Sequence, residues 1–152
     1  MKNLSTIARY GIYSALGIGA FFYLIYSLGF GHVSELRLFN LVIVVYFTNR
    51  LILEKLATSN EVSYLDNLGS AFLSNLICVA LSLIGLVLFV NFVDFSYFES
   101  VNKDTMWAQA SSLSDLMLVL FLEGMSSSAI ISFGLMQYWK NDMREHKTVY
   151  KS

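Results

Sequence analysis

The chain has 152 residues, 56% of them hydrophobic and only 14% charged, with a mean hydropathy of +0.59, whereas a soluble domain carries about 25% charged residues. Ten basic and eleven acidic side chains leave a net charge of −1, which points to neither nucleic acid nor anionic lipid as the main partner. The lone cysteine, Cys78, excludes an intrachain disulfide or a paired-thiol site, and the length suits one domain over 1–152.

Four apolar stretches, at 6–30, 36–56, 68–93 and 113–139, are each close to the roughly 20 residues that a helix needs to cross a hydrocarbon core. The pattern predicts an all-α integral membrane protein, a four-helix bundle. Lys2 and Arg9 precede the first stretch, which is longer than the roughly 7–15 apolar residues of a signal peptide, so it is expected to be retained. Gly11, Ala15 and Gly19 lie four apart on one helical face, the small-residue spacing that lets helix backbones approach. Gly17, Gly19 and Gly29 are the places where this proline-free chain is expected to loosen.

Before the second stretch, Ser34 with Glu35 suits a helix N-cap, the acid lying favourably against the helix dipole. The stretch itself carries Asn49 and Arg50. Thr58 to Glu61 has the spacing of a capping box. Val62, Leu65, Leu68 and Phe72 then recur at helical spacing, so the third helix is expected to begin as an amphipathic turn or two at the membrane surface. Ser74, Cys78 and Ser82 form a second small-residue stripe, continued by Gly85.

The connection from Phe95 to Ser112 holds Phe95, Tyr97, Phe98 and Trp107, an aromatic content suited to the membrane interface. The fourth stretch offers Gly124 and Ser128 for packing, and it carries Glu123 among Phe121, Leu122 and Met125. An ionised carboxylate deep in lipid costs about 2.5–3.5 kcal/mol on insertion scales, so Glu123 is expected to be neutral, paired or facing a wet cavity. Ser127, four residues on, shares its face. Counting from the start of each stretch puts Arg50 about 6 Å deeper than Glu123, which makes Arg50, with Asn49 beside it, a candidate partner. The alternatives are that Arg50 reaches the headgroups or pairs with Glu54 at i+4.

Basic residues divide unevenly. Lys2, Arg9, Arg50, Lys55, Lys140, Arg144, Lys147 and Lys151 fall on one side of the four spans, and Arg37 and Lys103 on the other, so both termini are expected in the cytoplasm. His32 and His146 have no ligand spacing to other histidine, cysteine or acidic residues, and no serine elbow occurs. No cofactor, metal site or enzymatic activity is expected.

The stretches NEVSYLDNLGSAF at the start of the third helix and LEGMSSSAIISFGLMQYWK at the end of the fourth resemble an uncharacterised family of small four-helix inner-membrane proteins common in Bacteroidota, a domain of unknown function. The resemblance implies four helices and an inner-membrane location, and it carries over no site residue. Two functions fit the residues. One is an accessory or structural subunit packing against another membrane protein or against its own copies. The other is a small proton- or ion-coupled channel or carrier using Glu123.

Overall fold

The computed structural model describes residues 2–30, 38–58, 63–94 and 112–141. Every regular element in them is helical: α1 (Lys2–Ser27), α2 (Leu38–Thr58), α3 (Tyr64–Phe92) and α4 (Leu113–Tyr138). The cap expected at Ser34, the aromatic connection over 95–111 and the tail beyond 141 lie outside the described residues. Three of the four helices, over Leu4–Ser27, Tyr64–Phe92 and Leu113–Tyr138, are long and apolar enough to cross a membrane. At 29 residues, α3 runs about 43 Å at helical rise, beyond the roughly 30 Å of a hydrocarbon core. α2 is shorter, 21 residues, and carries Arg50, Glu54 and Lys55 in its second half.

Local chemistry sets the helix ends. α1 continues unbroken through Gly17 and Gly19. Gly29, at φ +80°, ends it: Phe30 N donates to Ile25 O and Gly29 N to Tyr26 O, a Schellman closure that favours glycine because its residue is left-handed. The capping box expected at Thr58–Glu61 does not start α3. Thr58 is the last residue of α2, and its hydroxyl donates back to Glu54 O at 2.7 Å, as threonine does inside helices. α3 starts instead after Ser63, whose carbonyl accepts from Asn67 N. At the start of α4 the Ser112 side chain accepts from Asp115 N, with Asp115 itself in the first turn, which satisfies an orphan donor and complements the dipole.

α3 is the hub, packed against α1, α4 and α2, while α2 also lies along α1 and touches α4. Near the start of α1 the bundle is filled by Ile52, Leu56, Ala71 and Met136 with Tyr64, Leu68, Leu135 and Trp139 around them. At the opposite end Val90 and Leu116 sit among Phe22, Phe89 and their neighbours, and the Tyr26 hydroxyl donates to Asp94 at 3.2 Å. Helices α1 and α3 therefore run one way and α2 and α4 return.

The small-residue stripes are contacts over part of their length. A Cβ on Gly11 would stand 2.7 Å from Ser74 O and 2.9 Å from Ile77, and one on Gly124 would stand 2.8 Å from Val79, so at both points one helix lies against the bare backbone of another. Ser74, Cys78 and Ser128 are buried, and Ala15 and Ser82 half-buried. Gly19 departs from the expectation: it is exposed, with no atom within 4 Å of its Cβ position. Gly85 is equally open, so neither stripe is an interior face from end to end.

Candidate functional site

Ion pairs gather where α1 begins, α2 ends and α3 begins. Nη2 of Arg9 lies 2.6 Å and 2.7 Å from the two carboxylate oxygens of Glu54, and the Tyr10 hydroxyl donates to the same group at 2.7 Å. Glu54 thus belongs to α1, and Arg50 does not take it at i+4. One residue on, Lys55 is only 7% exposed; its ammonium donates to Asp66 Oδ2 at 2.9 Å and to Ser70 Oγ at 2.5 Å. These contacts clamp α2 between α1 and α3, with a basic group in the last turn of α2 and an acid in the first turn of α3, both favourable to the helix dipoles.

Deeper in the bundle, polar groups of three helices meet. Thr48 Oγ1 lies 2.6 Å from Asn75 Oδ1 and 2.7 Å from Val44 O, and Asn75 Nδ2 lies 3.3 Å from Ser132 Oγ. All three side chains are buried, at 1% exposure or less. Thr48 donates to the Asn75 side-chain oxygen, and the Asn75 amide nitrogen donates in turn to Ser132. Hydrogen bonds of this kind between apolar helices contribute about 0.6 kcal/mol each on average and fix which residues stand level with one another. The sequence reading missed this seam. Its signal was an amide, Asn75, between Leu73 and Ile77 in the most apolar helix of the chain.

The seam decides the geometry of the candidate polar residues. Thr48 on α2 is level with Ser132 on α4 through Asn75, and one turn further along each helix Ile52 and Met136 belong to the same core cluster. Arg50 is therefore level with Gly134, which lies eleven residues beyond Glu123, or about 16 Å along the axis. Counting from the starts of the stretches put them too close. By the same register α2 begins, at Leu38, level with Leu122, so the first nine residues of α4 project past it. Among the described residues no ion pair joins Glu123 to Arg50. Arg50 is exposed over the Tyr46 ring, 5.9 Å from its centroid, and Asn49 accepts the indole N–H of Trp139 at 2.7 Å.

Glu123 does not face the bundle interior. It is exposed, on a surface shared with Ile130 and flanked by Leu122 and Phe133, all more than half exposed. Half-buried Ser127 makes no hydrogen bond to it, and the Ser126 hydroxyl donates to Leu122 O at 2.9 Å. The sequence thus names an unusual acid, and the fold presents it outward. Among the described residues no three histidine, cysteine or acidic side chains converge on a metal-sized site.

Compared with known proteins, the chain matches no family model, no curated protein and no solved structure. The resemblance of its two polar-flanked stretches to small four-helix inner-membrane proteins therefore carries no family assignment.

Proposed function

We propose that this chain is a non-enzymatic multi-pass protein of the cell inner membrane that serves as an accessory or structural subunit of a larger membrane complex. In this reading α2 makes the fourth crossing, with Arg50 reaching toward the headgroups, and both termini lie in the cytoplasm with most of the basic residues.

The observation that carries the reading is the placement of Glu123. A carboxyl on the outer apolar face of α4 meets lipid in an isolated bundle, and lipid offers it no hydrogen-bond partner. Another polypeptide does. The carrier reading needs the acid in a wet interior, and the outward placement favours the subunit instead. Gentle-detergent purification of a tagged full-length chain from its native membrane, with mass spectrometry of the product, tests this. A stoichiometric membrane partner is expected, and a chain recovered alone as a monomer contradicts the reading.

A further inference from the structure

We propose that Arg50, seated on the Tyr46 ring at the exposed face of α2, holds the phosphate of an anionic phospholipid of the cytoplasmic leaflet. The inference rests on the membrane-protein reading and names the lipid that this face takes.

Local charge leaves Arg50 over. At this end of the bundle Arg9 pairs with Glu54 and Lys55 with Asp66, so those four side chains cancel. Arg50, one turn before Glu54, is exposed and makes no ion pair among the described residues. Its guanidinium is charged and carries five donors and no acceptor. Asp94 and Asp115 stand at the opposite end, so the overall net charge of −1 does not neutralise it. Lys140 is exposed as well, but it lies beyond the last residue of α4, on the water side of the same end.

Depth and surroundings select the occupant. Arg9, Glu54 and Asp66 mark where α1, α2 and α3 leave their apolar runs. Arg50 lies four residues inside Glu54, or about 6 Å along the axis, which an arginine stem spans to the headgroup phosphates. A string of rings runs beside it, Tyr10 against Tyr13, Tyr13 against Phe47 and Phe47 against Tyr46. The string crosses from α1 to α2, with Arg9 5.3 Å over its first ring and Arg50 5.9 Å over its last. Tyr13 is 45% and Tyr46 55% exposed, and tyrosines with an apolar body and a polar tip belong at headgroup level. There a planar guanidinium takes two phosphate oxygens at once. A zwitterionic lipid brings its own cation to the same place, whereas a lipid of net charge −1 leaves the pair neutral. Phospholipid surrounds the chain at this depth, so no further protein is needed to meet the charge.

The test is native mass spectrometry of the full-length chain, purified from membranes in gentle detergent and titrated with phosphatidylglycerol or phosphatidylcholine of the same acyl chains. The wild type is expected to retain phosphatidylglycerol about tenfold more tightly, and Arg50→Gln to lose that preference. Arg50→Lys, which keeps the charge without the planar fork, is expected to fall between them. Lys140→Gln, outside the site, is expected to keep the wild-type preference. Equal retention of the two lipids by the wild type, or a preference that Arg50→Gln leaves intact or Lys140→Gln abolishes, overturns the proposal. Displacement of the lipid by millimolar inorganic phosphate assigns the site to a free anion and overturns the lipid. Loss of a co-purifying protein from Arg50→Gln with no change in lipid gives the face to a protein and keeps the subunit reading. A wild-type chain recovered without membranes overturns the membrane-protein reading itself.

Discussion

Trp139 and Asn49 join α4 to α2: the indole N–H donates to the Asn49 side-chain oxygen at 2.7 Å, just past the last residue of α4. Both residues are partly buried, and Trp139 packs against the core cluster that holds Ile52 and Met136. At the far end α2 leans on α1 instead, through Phe39 against Phe21 and Ile43 against Gly17. The seam between α2 and α4 is thus anchored at the end that carries the ion pairs.

Asn49→Ala should remove that anchor at a cost of about 0.5–1.5 kcal/mol, the usual net worth of a hydrogen bond. A double-mutant cycle with Trp139→Phe, read by denaturant unfolding in micelles, measures it. Strict additivity of the two substitutions would show that the bond contributes nothing.

Gly11→Ala and Gly19→Ala should part company although both lie on one predicted stripe. At Gly11 the new methyl meets Ser74 O and Ile77 at less than 3.0 Å, so α1 must move off α3 at a cost of about 1–3 kcal/mol, as for other overpacked sites. At Gly19 it meets nothing, and the gain in helix propensity makes the change neutral or favourable by up to about 1 kcal/mol. Thermal unfolding of the two variants side by side gives the comparison, and equal losses would mean that α1 and α3 do not approach at Gly11.

Lys55 and Asp66 should respond unequally. Removing the carboxylate with Asp66→Ala leaves a nearly buried ammonium with Ser70 as its remaining side-chain partner. Because Asp66 is itself 64% exposed and its charge is screened, the expected loss is about 1–2 kcal/mol. Lys55→Met keeps the packing without the buried charge and should cost less. The same unfolding assay reports both, and a larger loss for Lys55→Met would assign the clamp to the charge itself.

Topology is testable from outside the bundle. The proposed orientation, with both termini in the cytoplasm, predicts that a cysteine placed at Ser152 in a Cys78→Ser background reacts with a membrane-impermeant maleimide only after the membrane is opened. Labelling of intact cells would reverse the proposed orientation.

How much of this was legible in the sequence depends on the distance over which each signal acts. The helices follow from runs of apolar residues, a local property, and they are found close to where the runs lie. Gly11 and Gly124 were readable as close contacts because small residues mark sites of backbone approach. Gly19 has the same spacing but lies where nothing packs on α1, and only the relative tilt of helices decides that. The pairing of Arg50 with Glu123 failed for a related reason: depth was counted from the start of each stretch, whereas the Thr48–Asn75–Ser132 seam sets α2 about nine residues short of the start of α4 at that end. Register between helices is a long-range property, and one buried amide fixes it here. The direction in which Glu123 points was equally closed to the sequence, since apolar residues occur on every face of α4.

The outward acid is the central claim, and it is tested most directly by the mass of the particle extracted in gentle detergent from membranes carrying either the wild type or Glu123→Leu. The expected result is an assembly for the wild type and a smaller particle for the variant, with the thermal stability of the individual chain unchanged because no partner of Glu123 lies among the described residues of its own chain. Particles of the same mass from both, or a variant chain that no longer folds, would contradict it and return Glu123 to the interior of its own bundle.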